Sequence, residues 1–329
     1  MSALKVLASG PLALVQDAFG RIGFQRFGVP VCGALDSTSL RIANLVVGNP
    51  DTAAGLEVFY KGPVLEVEAD SARIAAVGAN LVVRSSDGAR RIASGRSVRV
   101  HRGERIEMGA SEGGLVAYLA VEGGIAVEPF LGSRATYLRA GIGGLDGKPV
   151  RKGDALPLAR ESVHERAERQ APNWDLSAPG CVRVVPGPQD DWFTARGMRT
   201  LLKTAWTVSR QSDRMGVRLE GPAIEHAKGF NIVSDGIAPG AIQVPGNGLP
   251  IVLLADRQTT GGYPKIATVA SADLPAFGRL APGATIRFEA VTVEEAEEAR
   301  RELELRFLEL RSVLGLPGGA PPRSGRRRR

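Results

Sequence analysis

Apolar residues recur along this chain in short runs, punctuated by glycine and proline. Leu4–Ala8 and Leu12–Val15 flank a Gly10-Pro11 turn. Leu56–Tyr60, Val64–Glu68, Arg73–Val77, Asn80–Arg84, Ser97–Val100, Arg105–Met108 and Leu115–Val121 follow, with clear period-two alternation in Val64–Glu68. Short runs of this kind, bounded by turn residues, predict strands, and a strand every eight to twelve residues or so predicts a β-barrel or sandwich. A helix is predicted over Ser39–Val47, capped by Asp36-Ser37-Thr38 and stopped by Gly48-Asn49-Pro50. Residues 159–180 are charged and then proline-containing, which suits a link between two units. A second β-rich unit opens at Val182–Val185 and closes near Ile286–Phe288. Thr292 and Glu295 form a capping box for a last helix to about Leu314, with Val293, Ala296, Leu303, Phe307, Leu310 and Leu314 as its packing stripe. The division expected is 1–165, 180–291, a helix over 292–315, and a disordered basic tail over 316–329. Faint echoes between Leu56-Glu57…Gly62-Pro63 and Leu219–Pro222 suggest duplication of one β-unit.

Composition supports this picture. Gly (41) and Pro (21) are abundant and aromatics are sparse at 5%, which favours short strands and turns over long helices. The net charge of +7 invites a nucleic-acid reading. Arg323 and Arg326–Arg329 carry five of those charges, leaving +2 over the rest, so basicity belongs to the tail. With few aromatics for base stacking, no nucleic-acid partner is expected. Cys32 and Cys181 are too few for a disulfide framework, the N-terminus lacks a basic leader, and no apolar run reaches bilayer length. The expectation is a cytoplasmic protein that meets no membrane.

Chemistry concentrates after the strand-like Ile251–Leu254. Asp256, Arg257, Gln258, Thr259 and Thr260 precede Gly261-Gly262-Tyr263-Pro264-Lys265. An acid, a guanidinium, an amide and hydroxyls at a strand end, followed by glycines that allow close approach, read either as a recognition loop or as a well-bonded turn. Ser212–Gly216 and Gln243–Gly246 are similar polar loops. Arg134, Arg214, Arg257 and Lys265 could bind carboxylate or phosphate, or brace acids such as Asp36, Asp213 and Asp256. Gly141–Lys148 misses phosphate-loop spacing by one residue, and Pro149 stands where a Ser or Thr is needed. Gly109–Gly113 matches a nucleophile-elbow string in a strand-turn-strand setting. His101, His164 and His226 are scattered, giving neither a metal site nor a serine triad.

Several strings together carry a family likeness. They are Gly10-Pro11…Gln16-Asp17…Gly20-Arg21, Gly28-Val29-Pro30…Gly33–Asp36, Ala43-Asn44…Gly48-Asn49, Leu56-Glu57, Gly132–Tyr137, Ser212–Leu219, Gly240–Pro245 and Asp256–Lys265. In this order they resemble the biotin-dependent carboxyltransferase, or allophanate hydrolase subunit 2, family. That family includes the C-type component of bacterial 5-oxoprolinase and KipA-like antagonists of a kinase inhibitor. The resemblance implies a mainly β fold of two cyclophilin-like β-barrel subdomains with a few short helices and a C-terminal helix. For the 5-oxoprolinase branch it implies an enzyme opening the 5-oxo-L-proline lactam to L-glutamate, using ATP with magnesium held by the complex. The partners implied are the other two 5-oxoprolinase components, a KipI-like B-type one and an A-type one. The matching positions nominate Asp17, Asp36, Asp256 and Lys265 as catalytic. They nominate Gln16, Arg21, Ser133, Arg134, Asp213, Arg214, Gln243, Arg257, Gln258, Thr259, Thr260 and Tyr263 as substrate- or anion-binding. No metal ligands are nominated on this chain. Under the urea-carboxylase branch biotin would enter as carboxyl donor, although the chain carries neither a biotin carboxylase region nor a biotin-attachment site. A KipA-like regulatory binding module is a further alternative.

Overall fold

The computed structural model describes residues 2–177 and 179–317. The fold is mainly β, as expected. In the first half two sheets enclose one core. Six strands are ordered Ala155–Pro157, Ala3–Ala8, Val64–Val67, Arg105–Met108, Leu81–Ser85, Gly88–Ile92. Five more are ordered Leu12–Gln16, Gly55–Phe59, Val116–Val121, Ser71–Val77, Ser97–His101. Leu4, Val6, Leu56, Val58, Leu65, Ile74, Val83 and Ile106 pack between them.

The second half is a closed barrel. Its strands run Cys181–Pro186, Lys265–Val269, Ala241–Gln243, Ile251–Leu253, Gly216–Glu220, Trp206–Val208, Thr285–Ala290. Parallel pairing of Cys181 with Arg287 and Val184 with Ala290 joins the last strand to the first. Closure leaves no edge to template further pairing.

Why the runs alternate weakly becomes clear from the five-stranded sheet. Every residue of Gly55–Phe59, Ser71–Val77 and Val116–Val121 is buried, because the sheet is covered on both faces. One face meets the first core. The other meets helix α1 (Ser37–Val47) and the barrel, where Leu14, Phe59, Val116 and Tyr118 join Val182, Trp206, Ile242 and Phe277 in a single apolar cluster. The two halves therefore share a core.

Helix α1 starts where Asp36 accepts from the Ser39 amide and ends at Gly48 in the left-handed conformation. Two short helices that the apolar pattern did not announce, α2 (Ala195–Lys203) and α3 (Leu274–Arg279), sit within the second half. The capping box at Thr292 opens α4 (Val293–Val313). This helix returns to the first half. Phe307, Leu310 and Leu314 enter the α1 cluster, and Arg41 stacks on the Phe307 ring at 3.6 Å while donating two 2.8 Å hydrogen bonds to Glu304. The packing stripe is shorter than the sequence suggests. Val293 is exposed because the first turns of α4 project beyond the surface that Ala299, Phe307 and Leu310 cover.

The segment 159–177 is no free tether. Glu168 binds Arg73, and the Ser97 and Arg169 amides each donate across to the opposing segment. Leu316, assigned to the tail, packs against the α1 cluster, and residues 318–329 of that tail lie outside the described residues. No described helix is long and apolar enough to cross a membrane.

Truncating Phe307 to Ala should lower stability by about 3–4 kcal/mol, since it removes a buried ring from under Arg41 and Trp174. Urea unfolding of both proteins would measure it. A loss below about 1 kcal/mol would show that α4 does not hold the first half.

Candidate functional site

At the junction of the halves lies a buried ionic hub. Arg214, on the loop before Gly216–Glu220, is 7% exposed. It donates from Nε and Nη2 to the two carboxylate oxygens of Asp256 at 2.9 and 3.0 Å, from Nη2 to the Gly33 carbonyl at 2.7 Å, and from Nη1 to Glu57. Glu57 is fully buried on the five-stranded sheet. It also accepts from the Tyr118 hydroxyl at 2.6 Å and from the Leu35 amide at 2.8 Å. Asp36, besides capping α1, accepts from Arg279 Nη1 at 2.9 Å. Burial alone would pull Arg214 down, but Asp256 and Glu57 outweigh it and hold its pKa above the ordinary range. Tyr118 is pushed well up by burial and by the Glu57 and Asp36 charges, so its hydroxyl stays protonated as a donor.

A second layer of loops closes around this hub. Gln16 Nε2 donates to the Thr136 carbonyl at 3.1 Å, and Arg21 Nη2 donates to the Ala135 carbonyl. Asp17 accepts from the Gly20 amide, the Ser133 hydroxyl and the Arg134 amide at 2.7–2.8 Å. Gly143 is required here: at φ 68° a Cβ would stand 2.1 Å from the Ala135 oxygen and 2.6 Å from Arg21 Nη2. Cys32 donates its amide to the Ala255 carbonyl, and burial followed by the Asp256 charge pushes its thiol pKa far up. It is held as a neutral thiol, unsuited to nucleophilic work.

A cavity of about 590 Å³ opens beside the hub. Arg139 reaches it from the first half, opposite Asp213, Arg218, Gln243, Gln258 and Tyr263 of the second. Arg139 Nη2 approaches Asp213 Oδ2 at 3.7 Å. Gln258 Nε2 donates to Gln243 Oε1 at 3.3 Å, and Gln243 Nε2 donates to the Tyr263 carbonyl at 3.4 Å, which fixes the two amides in the wall. Gly261 permits this approach, since a Cβ there would lie 2.9 Å from Gln243 Nε2. Two exposed guanidiniums with oriented amides and a phenol can hold an oxyanion and orient a neutral polar group beside it.

The residues nominated from sequence thus divide. Asp213, Gln243, Gln258 and Tyr263 meet in this cleft. Asp36, Arg214 and Asp256 belong to the hub. Asp17 and Arg134 line a separate dimple of about 290 Å³, with Ser133, Gln16 and Arg21 bonded behind it. Arg257 faces another cavity. The Thr259 carbonyl accepts from the Ile237 amide, and Thr260 pairs with Gly236. Lys265 is buried and binds Asp235 at 3.2 Å, holding that carboxyl below its usual range. Arg139 and Arg218 were missed. Arg218 stands inside the quoted string Ser212–Leu219, but Arg139 becomes visible only when the halves are assembled.

A family model described as carboxyltransferase domain, subdomain A and B, matches residues 27–290. The chain belongs to this carboxyltransferase subdomain A and B family. Among the family's relatives, the C component of the Escherichia coli 5-oxoprolinase is 38% identical over 310 residues, which is 93% of this chain and 97% of the relative. Its Haemophilus influenzae counterpart, also a 5-oxoprolinase C component, is 34% identical over 302 residues, 92% and 96% of the two chains. Among solved structures, Kluyveromyces lactis urea carboxylase superposes with a TM-score of 0.83 at 31% identity, over 94% of this chain but only 29% of that much longer one. The family fold therefore occurs both as a separate polypeptide and as one segment of a larger enzyme.

Replacing Arg214 with Met leaves Glu57 and Asp256 as unpaired buried charges and should cost about 3–5 kcal/mol. Removing the neighbouring exposed carboxylate, Asp213→Ala, should change stability by less than about 1 kcal/mol. Chemical denaturation of the two variants side by side tests the contrast; equal losses would place the junction's strength elsewhere.

Proposed function

We propose that this chain is the C component of an ATP-dependent 5-oxoprolinase and acts with its two partner components to open the 5-oxo-L-proline lactam to L-glutamate. The observation that carries the reading is the match to the E. coli C component over 97% of that relative's length. The chemistry of the cleft suits it. An unactivated lactam is a poor electrophile, and transfer of a phosphoryl group to its oxygen makes the ring carbon attackable by water. Arg139 and Arg218 would neutralise charge on the phosphorylated ring, while Gln258 and Tyr263 would orient it. Gly141–Lys148 forms turns and opens no helix, so this chain offers no helix-borne phosphate loop there, and ATP is assigned to the complex as a whole.

A second reading rests on the likeness to K. lactis urea carboxylase over 94% of the chain. In it the same cleft would receive a carboxyl group from a biotin carried by another polypeptide. Substrate separates the two. The three co-purified components should release glutamate and phosphate from 5-oxo-L-proline and ATP, and omission of this chain should abolish both. Gln258→Ala or Tyr263→Phe should lower kcat/KM about ten-fold or more with stability within about 0.5 kcal/mol of the parent. A stable complex without glutamate formation would defeat the proposal.

A further inference from the structure

Beside the polar cleft, on the other side of the Asp256–Gln258 turn, lies a cavity of a different character. It has a volume of about 360 Å³, and both halves of the molecule wall it. Phe19, Ile22 and Val31 come from the first half, Pro239, Leu254 and Leu274 from the second. Arg257 is the one charged residue among those lining it. It is 6% exposed. Nε donates to the Ile237 carbonyl at 3.1 Å and Nη1 to the Leu254 carbonyl at 3.2 Å; no carboxylate pairs with it among the described residues. Acids on the adjoining segments are engaged elsewhere: Asp256 binds Arg214 through both oxygens, and Asp36 binds Arg279. Burial pulls the Arg257 pKa below its ordinary value, the direction expected of a desolvated cation without a counter-ion. Ser37, in the first turn of the 11-residue helix α1, also lines the cavity, so the positive end of that helix adds to the same field.

We propose that this cavity binds a compact organic monocarboxylate, with its carboxylate on Arg257 and its apolar body against the Phe19–Leu274 walls. Taken with the 5-oxoprolinase reading, on which this assignment of the ligand rests, the occupant is 5-oxo-L-proline, captured here before it passes to the polar cleft for phosphorylation: one carboxylate, a small ring, and an uncharged lactam. Discrimination follows from the same wall. L-Glutamate, the ring-opened product, carries a second carboxylate and an ammonium group, and the cavity offers one cation and no acid to match them. Burying those extra charges unpaired is unfavourable, so the site holds the substrate and rejects the product. A planar guanidinium anchored by two main-chain carbonyls keeps its remaining edge fixed for a carboxylate, at little further entropic cost.

Isothermal titration of the full chain, and of its complex with the partner components, tests this with four probes: 5-oxo-L-proline, cyclopentanecarboxylate, cyclopentanecarboxamide and L-glutamate. The two monocarboxylates are expected to bind, with the neutral amide and glutamate at least about ten-fold weaker. Arg257→Met should weaken carboxylate binding by about ten-fold or more. Arg257→Lys should retain part of it, and Ser271→Trp, at the exposed rim, should block entry with Arg257 intact. Circular dichroism confirms that each variant is folded. Equal binding of acid and amide, unchanged binding by folded Arg257→Met, or no binding to chain or complex would overturn the proposal. Arg257-dependent binding of cyclopentanecarboxylate without turnover of 5-oxo-L-proline would leave the carboxylate pocket standing and remove the 5-oxoprolinase reading. Turnover with a KM unmoved by Arg257→Lys and Ser271→Trp would do the reverse.

Discussion

Arg214 is the constraint on which the rest of this molecule depends. A guanidinium inside a protein is tolerable only where its donors are matched by fixed acceptors. Here the acceptors come from three places: Glu57 on the inner sheet, Gly33 on the loop before α1, and Asp256 on the loop after Ile251–Leu253. Satisfying one side chain therefore fixes the relative position of two halves that are folded differently. The apolar cluster from Leu14 and Tyr118 through Trp206 and Phe277 supplies the non-directional attraction, and the hub supplies register.

Both cavities follow from that register, because the three residues after Ala255 address three environments. Asp256 turns inward to Arg214. Arg257 faces the apolar cavity between the halves, and Gln258 faces the polar cleft. Neither cavity is complete in one half: Arg139 crosses to the cleft, and Phe19 and Ile22 cross to the apolar cavity. Cavities divided in this way are sensitive to displacements at the junction.

Much of the fold was legible in sequence because its signals are local. Gly-Pro breaks, short apolar runs and two capped helices fixed most strands of the first half, along with α1 and α4, to within a residue or two. The edge strand Gly88–Ile92 escaped because four of its five residues are exposed, leaving only Ile92 as an apolar signal. Helix α2 escaped because its buried residues are only Gly197 and Leu201. The site was legible as a set of residues, but not as an arrangement. Asp36, Arg214 and Asp256 have the chemistry of catalytic groups, yet their hydrogen bonds go to internal partners: Arg214 and Asp256 to each other, Asp36 to Arg279 and the start of α1. Only the fold distinguishes a charge paired with an internal acid from one that lines a cavity, and Arg257, one position from Asp256, is of the second kind: it has no carboxylate partner among the described residues.

The most direct measurement is differential scanning calorimetry of the full chain. With a core and an ionic hub shared between the halves, one transition is expected, with calorimetric and van't Hoff enthalpies in agreement. Two separable transitions in the parent protein, one for each half, would contradict a junction held by Arg214, and with it the cavities that depend on that junction.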